Sequence, residues 1–318
     1  MVRYLVRRAI GMVGVLLIVT VLLFILMSFV PGDPITARYG FDGTSLSPEQ
    51  EASLRKEYGL DRPLSLQYVS WVRSVVTGDL GDSIQERRPV TTILADRIPV
   101  TLQVQGLALL ISLLIAVPAG VIAAVNHNSI LDRVVSGFAL AGVAMPAFWL
   151  GLLFLILFSV KLSWFPIAGF TTLSSDPVEA LKSSFLPALT AALGGTTAMI
   201  LRQLRSGMVE ELRQDYIRTA RAKGVTERTV VFGHALKNAM LPTVTVVGLS
   251  IAHLLGGSVV IERVFNIPGM GRLIIDAMNS RDYPVVQGVV LVITLFVVVI
   301  TLLTDLAYSF LNPRIRLR

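Results

Sequence analysis

Six apolar runs punctuate this chain, near residues 10–30, 104–125, 134–160, 186–201, 241–261 and 286–311. A helix needs about 20 such residues to cross the hydrocarbon of a bilayer. The runs therefore predict an all-α membrane protein with six transmembrane helices, the fourth being the shortest. Charged side chains make up 15% of the 318 residues, against about 25% in a soluble domain, and repeated spans account for that deficit. The first run follows Arg3, Arg7 and Arg8, as a secretory signal would. Its apolar stretch exceeds the usual signal core of about 7–15 residues, and no small-x-small cleavage site follows. It is expected to stay as the first span.

Charge orients the spans. Six of them place both termini on one face, where residues 1–9 carry +3, 126–133 balance, 202–240 carry +4 and 312–318 carry +3. On the other face the short loops 161–182 and 262–282 balance, and the long segment 31–98 stands at −2. Lys and Arg collect in short cytoplasmic loops. Both termini and the 202–240 loop are thus expected to be cytoplasmic, with a basic face that attracts anionic membrane lipid. The net charge of +7 reads as this topology bias. No nucleic-acid partner is expected, because no basic stripe is interleaved with exposed aromatics.

The expected organisation is an N-terminal segment and first span over 1–30, then an extracytoplasmic lobe over 31–100. A core of spans two to six follows over 101–311, with the loop 203–240 inside it, and a tail over 312–318. In the lobe, Ser47, Pro48 and Gln50 have capping-box spacing, which predicts a helix running to Tyr58 and ended by Gly59. Leu66, Tyr68, Val69, Val72, Val75 and Val76 make an apolar stripe at near-helical spacing, stopped at Gly78. Pro118 and Pro146 fall within or near spans, where proline removes a backbone donor and favours a kink. The fourth run, Leu186 to Ile200, is crowded with Ala, Gly and Thr. Small residues let helix backbones approach closely, in a packed bundle or in the wall of a passage. Pro268-Gly269 signals a turn, followed by a short helix over Arg272–Ser280.

Few residues here are placed for chemistry. No GxxxxGK[ST] loop occurs, so the chain is not expected to hydrolyse ATP by itself, and no HExxH occurs. Nothing resembles a nucleophile elbow, and an intramembrane hydrolase would need a polar catalytic pair within the spans. The chain has no cysteine, which removes disulfides and thiolate metal sites. His127, His234 and His253 are too scattered in sequence to share a metal. No catalytic residue, metal or cofactor of its own is expected. Ionisable groups within spans are functional candidates, since charge in lipid is costly. Asp305 is read as structural. His253, together with Pro146, is a candidate for lining a substrate path; a hydrogen bond to a neighbouring helix is the plainer role for the imidazole. So few acidic groups argue against a proton- or sodium-coupled carrier.

A bundle with no engine of its own needs an external drive, and the polar stretch DYIRTARAKGVTERTVVFGHALKNAMLP at 215–242 offers a place to attach one. Gln203 to Lys223 is compatible with one helix, with Met208, Leu212 and Tyr216 at i, i+4 and i+8. Gly224 suits a helix end because it can take positive φ. Thr226 is placed to cap a second helix, with Glu227 at its positive dipole end. Small Thr219, Ala220 and Ala222 would let another protein come close, and Val230, Val231 and Phe232 would offer apolar contact. Two short helices hinged at a glycine would form a lever on spans four and five. A solvated basic turn is the alternative from pattern alone.

Over nearly its whole length the sequence resembles the B-type permease subunits of the dipeptide/oligopeptide/nickel family of ABC importers. The resemblance is carried by VPGDP at 30–34, YGLDRPLSLQY at 58–68, GDLGDS at 78–83 and PAFWLGLLFLILF at 146–158. LSWFPIAG at 162–169, DYIRTARAKG at 215–224, ERVFNIPGMG at 262–271, RDYPVVQG at 281–288 and NPRIR at 312–316 continue it. It implies the type I ABC importer permease fold. It also makes the loop the family's EAA-type coupling motif, which docks into a cytosolic ATPase. On that reading Ala220 matches the motif's small residue and Gly224 its glycine, while Arg218 and Thr219 stand in place of the Glu-Ala pair. Arg221, Ala222, Val225 and Phe232 complete the coupling surface. Asn312 and Thr301 replace an Asp and an Asn that are common in the family. The implied partners are a homologous C-type permease, two ATPase subunits holding ATP and Mg, and an extracytoplasmic substrate-binding protein. The implied location is a bacterial or archaeal cytoplasmic membrane. Peptides are the expected cargo, with nickel or another small solute as the alternative for the same machine. A self-sufficient channel or secondary carrier is the reading from another class.

Overall fold

A computed structural model describes residues 2–29, 47–57 and 61–311. Its helices are α1 (Val2–Phe29), α2 (Pro48–Glu57), α3 (Leu64–Val76), α4 (Val90–Val125), α5 (Ile130–Ala144) and α6 (Ala147–Phe154). They continue with α7 (Pro177–Ala191), α8 (Thr197–Glu211), α9 (Asp215–Ala222), α10 (Leu236–Val264), α11 (Met270–Asn279) and α12 (Tyr283–Leu311). The VPGDP stretch, the predicted helix end at Tyr58 and Gly59, and the tail with Asn312 lie outside the described residues. Among the described residues there is no strand, only an isolated bridge between Asp82 and Pro89.

Among the described residues five segments are long and apolar enough to cross a bilayer: Ile10–Met27, Val90–Val125, Pro177–Glu211, Glu227–Gly256 and Tyr283–Ala307. The pair α5 and α6 is a sixth if counted as one span, and it is bent by 103°. The sequence predicted a kink at Pro146; the structure has a break. Met145, as the residue before proline, is pushed out of the helical region to ψ 129, and Pro146 itself has ψ 132. Two consecutive extended residues turn the chain. Pro118, by contrast, sits inside the unbroken α4.

The fourth run is the short one in sequence only. Its helical segment extends from Pro177 to Glu211, with a wide π-type turn over Ala192–Thr196 between α7 and α8. Gly195 takes φ 125 there, a conformation open to glycine alone at low cost. The small residues serve close packing at this break. A Cβ on Gly142 of α5 would lie 2.8 Å from the Leu193 carbonyl oxygen, and one on Gly194 would lie 3.4 Å from the Ala147 Cβ. The break in the fourth run therefore adjoins the bend in the third.

The chain forms two compact units, residues 1–98 with 272–296, and residues 99–271 with 297–318. In the first, the predicted capping box closes α2: the Gln50 N–H donates to Ser47 Oγ at 3.2 Å, and the Ser47 N–H donates to Gln50 Oε1 at 3.0 Å. The stripe on α3 does not pack as read. Leu66, Val69 and Val76 are exposed. Tyr68 of the stripe and Trp71 outside it make the contact, with ring centroids 5.5 and 6.0 Å from Phe24 of α1. The Tyr68 hydroxyl also hydrogen-bonds Thr20 Oγ1 at 3.0 Å. Aromatic rings bury more area per residue than valine, and they decide which face turns inward.

In the second unit α8 is the packing hub. A Cβ on Gly120 of α4 would come within 3.3 Å of the Leu201 carbonyl and the Leu204 side chain. Gly207 of α8 faces Ala239 of α10 in the same way, at 3.4 Å. Fully buried Ile200, Leu204 and Met208 fill the remaining space.

Gly142→Val is expected to destabilise the protein by about 1–3 kcal/mol, because the atom it meets is backbone and cannot step aside. Thermal unfolding of the purified protein in detergent checks this, and an unchanged midpoint would contradict the close approach.

Candidate functional site

The stretch singled out by its polarity begins where α8 ends. A single helix through Gln203–Lys223 is not what forms. The chain turns at Leu212–Gln214, with Arg213 and Gln214 N–H groups reaching back to the Glu210 and Glu211 carbonyls at 3.2 and 3.1 Å. Gln214 is extended at ψ 150, and α9 starts at Asp215. The turn changes which side chain is buried. Tyr216, third in the predicted stripe, points outward, and Ile217 is 0% exposed. Ile217 joins a core of Val121, Ala124, Leu204, Met208, Val230, Val231, Ala235 and Ala239.

The end of α9 is closed by a glycine motif. The Gly224 N–H donates to the Arg221 carbonyl at 3.0 Å, and the Val225 N–H donates to the Ala220 carbonyl at 3.2 Å. This paired arrangement is the Schellman closure, which needs a left-handed residue between its two donors. Gly224 supplies it at φ 79, and nothing lies within 4 Å of where its Cβ would be. Conformation, not space, dictates glycine here. Ala220 and Val225 both pack against the Ile217 core, the apolar contact that commonly accompanies the motif.

Across the glycine, Arg221 meets Glu227 with both ends of its guanidinium, Nη2 to Oε1 at 2.6 Å and Nε to Oε2 at 3.0 Å. That carboxylate holds the Arg221 pKa above its ordinary value. Both side chains are well exposed, so the pair contributes at most about 1 kcal/mol. Tyr216 ties α9 to its neighbours: its hydroxyl donates to Glu211 at 2.5 Å and accepts from Asn238 Nδ2 at 2.9 Å. Partial burial, and then the bond to Glu211, raise its pKa. The Thr219 hydroxyl turns back onto the Asp215 carbonyl at 2.9 Å.

Several expectations are corrected. Val230 and Val231 are buried in the protein's own core and offer nothing to a partner; Phe232 is 56% exposed. Thr226 occupies the cap position, but its hydroxyl bonds that of Thr229 at 2.9 Å and not a backbone N–H. No separate second helix follows. Glu227–Thr229 runs through a π-type turn at Val230–Ala235 directly into α10. The lever is therefore one short helix, α9, beside the extended foot of α10. Its outer side shows Arg218, Thr219, Arg221, Ala222 and Lys223, with Arg218 74% exposed. An open hollow of about 400 Å³ lies beside it, lined by Ser206, Val209, Glu210, Arg213, Gln214 and Asp215.

Pro146 and His253 are not part of this surface. Pro146 is exposed at the bend between α5 and α6, and His253 is exposed on α10. Among the described residues His253 has no hydrogen-bond partner, so the expected bond to a neighbouring helix is not formed among them.

Sequence reasoning missed three buried carboxylates, Asp132, Glu262 and Asp282. In the first unit Asp282 accepts from Ser83 Oγ at 2.5 Å and from the Ile84 and Gln85 N–H groups at 3.1 and 3.2 Å. The RDYP segment thereby clasps the GDLGDS segment. In the second unit Glu262 is fully buried and accepts from Thr101 Oγ1 at 2.7 Å, while that oxygen accepts from the Met270 N–H at 2.8 Å. A Cβ on Gly269 would collide with the Glu262 carboxylate. The signal available was an acidic residue beside turn residues in each motif.

Gly224→Val should disrupt the α9 closure, since a side chain in the left-handed region costs about 1–2 kcal/mol. Gly224→Asn should be milder, because asparagine tolerates that region. Amide hydrogen exchange at Val225 checks the order: wild type slowest, Asn intermediate, Val fastest.

Two family descriptions match this chain. The binding-protein-dependent transport system inner membrane component matches residues 116–317, and the N-terminal domain of such membrane components matches residues 1–105. A protein of Brucella suis biovar 1 (strain 1330) named as a peptide permease is 45% identical over 99% of both chains. The dipeptide transport system permease protein DppB of Escherichia coli (strain K12) is 39% identical, again over 99% of both. Among solved structures, an inward-facing MetNI methionine ABC transporter aligns with TM-score 0.58 at 18% identity, over 69% of this chain and 96% of that one. That likeness shows a shared fold.

Proposed function

The chain belongs to the inner-membrane components of binding-protein-dependent transport systems, and we propose that it forms half the passage of an ATP-driven peptide importer, worked through α9. The peptide cargo is supported by the names of the relatives that match end to end. The drive through α9 is supported chiefly by one observation: a short helix, seated by buried Ile217 and closed at Gly224, turns small and basic side chains outward beside an open hollow.

On this reading two cytosolic ATPase subunits hold ATP and Mg, a homologous permease supplies the other half of the passage, and a binding protein delivers cargo from outside. Both termini and the 202–240 loop face the cytosol, in line with the excess of Lys and Arg there. Arg218, Thr219, Ala222 and Phe232 meet the ATPase. Ala220, Gly224 and Val225 keep α9 in place, and Arg221 braces it against Glu227. The ATPases bind one arrangement of α9 better than the other, and nucleotide state shifts the population between two access states.

Ala220→Glu tests this. A carboxylate at the half-buried root of α9 should lower substrate uptake by the assembled complex in proteoliposomes by roughly tenfold or more. Full binding-protein-stimulated uptake by a correctly assembled variant would contradict the assignment.

A further inference from the structure

Between α5 and α8 lies an ion pair that the docking surface does not use. Asp132 stands in the first turn of α5, after the connection from α4, and its side chain is 4% exposed. Arg205 of α8 grips it with both ends of the guanidinium, Nε to Oδ1 at 2.5 Å and Nη2 to Oδ2 at 2.7 Å. The Asn128 N–H donates to Oδ2 at 2.9 Å, and Asn128 takes φ 65 to do so. His127 Nδ1 lies 3.3 Å from Arg205 Nη2. Ser129 caps α5 by accepting from the Asp132 N–H at 3.2 Å. The carboxylate is thus held from the loop and from α8 together.

The location of this pair is what matters. Arg205 is two helical turns before the Leu212–Gln214 turn that leads into α9. Asp132 begins the helix that ends at the 103° bend of Pro146. The close approaches of α8 at Gly120 and Gly207 are van der Waals contacts with Leu201, Leu204 and Ala239 and carry no charge. A bidentate Arg–carboxylate pair fixes both distance and orientation.

We infer that Asp132 and Arg205 are positioning residues that pass a displacement of α9, through α8, to α5 and the bend at Pro146. This rests on α9 being the driven element. The pair itself touches neither cargo nor ATPase. Movement of α8 carries Asp132 with it, and the 126–133 connection follows as one body.

The test uses the complete transporter in proteoliposomes, reading ATP hydrolysis and uptake separately. Asp132→Asn, and Arg205→Lys, which keeps the charge but loses the fork, should each lower uptake per ATP hydrolysed roughly three- to tenfold. Hydrolysis per assembled complex should be retained. The double variant Asp132→Asn/Arg205→Gln, which leaves no unpaired charge, should lose no more than either single change. A merely structural pair would instead lower the yield of complex, with hydrolysis and uptake falling together. Unchanged uptake per ATP in assembled single variants would overturn the inference, as would failure of every variant, the double included, to assemble. An Ala220→Glu complex run alongside separates the two readings. If it transports normally, α9 is not the driven element. If it fails while Asp132→Asn transports normally, only the clasp is wrong.

Discussion

Burial of Ile217 is the interaction on which the surface around α9 depends. A fully buried isoleucine stabilises its site by about 1.5–3 kcal/mol, enough to decide how an eight-residue helix sits. Isolated helices of that length are not stable in water, so α9 owes its existence to the core it covers. That core is built by α4, α8 and the foot of α10 together. The consequence is that α9 cannot move without disturbing the packing of α8 and α10. The Schellman closure at Gly224 and the Tyr216 bonds to Glu211 and Asn238 add direction to what apolar burial alone would leave free to rotate.

The same economy governs the rest of the molecule. Helices long enough to cross a bilayer are interrupted at Met145-Pro146 and at Gly194-Gly195, and the two interruptions lie against each other. Unwound backbone within a membrane is tolerated where it is covered by protein; Gly195 is buried in this way, whereas Met145 and Pro146 stay exposed on the surface of this chain. Polar fixings secure the segments that helix packing does not reach. Asp282 holds the 78–90 segment in the first unit, and Glu262 holds the turn before α11 in the second.

Local features were legible in the sequence. The capping box at Ser47, the glycine end of α9 and the apolar runs all depend on neighbours within a few residues, and the structure has each of them. The break between α8 and α9 was not legible. A continuous helix satisfies the Met208–Leu212–Tyr216 spacing equally well, and only the tertiary gain from burying Ile217 selects the turn. Val230 and Val231 failed for a related reason: an apolar residue in a polar loop can face a partner or the protein's own core, and spacing alone does not say which. The carboxylate clasps were hidden by distance, since Asp282 and Glu262 find hydroxyl donors 199 and 161 residues away.

The absence of cysteine from these 318 residues permits a direct test of whether α9 meets the ATPase. Thr219→Cys places one thiol on the exposed side of that helix, where a photoreactive maleimide can be attached. In the assembled transporter the account predicts an adduct with the ATPase subunit whose yield changes with nucleotide. Efficient labelling of that thiol by an impermeant maleimide added outside intact cells, with no adduct to the ATPase, would contradict it.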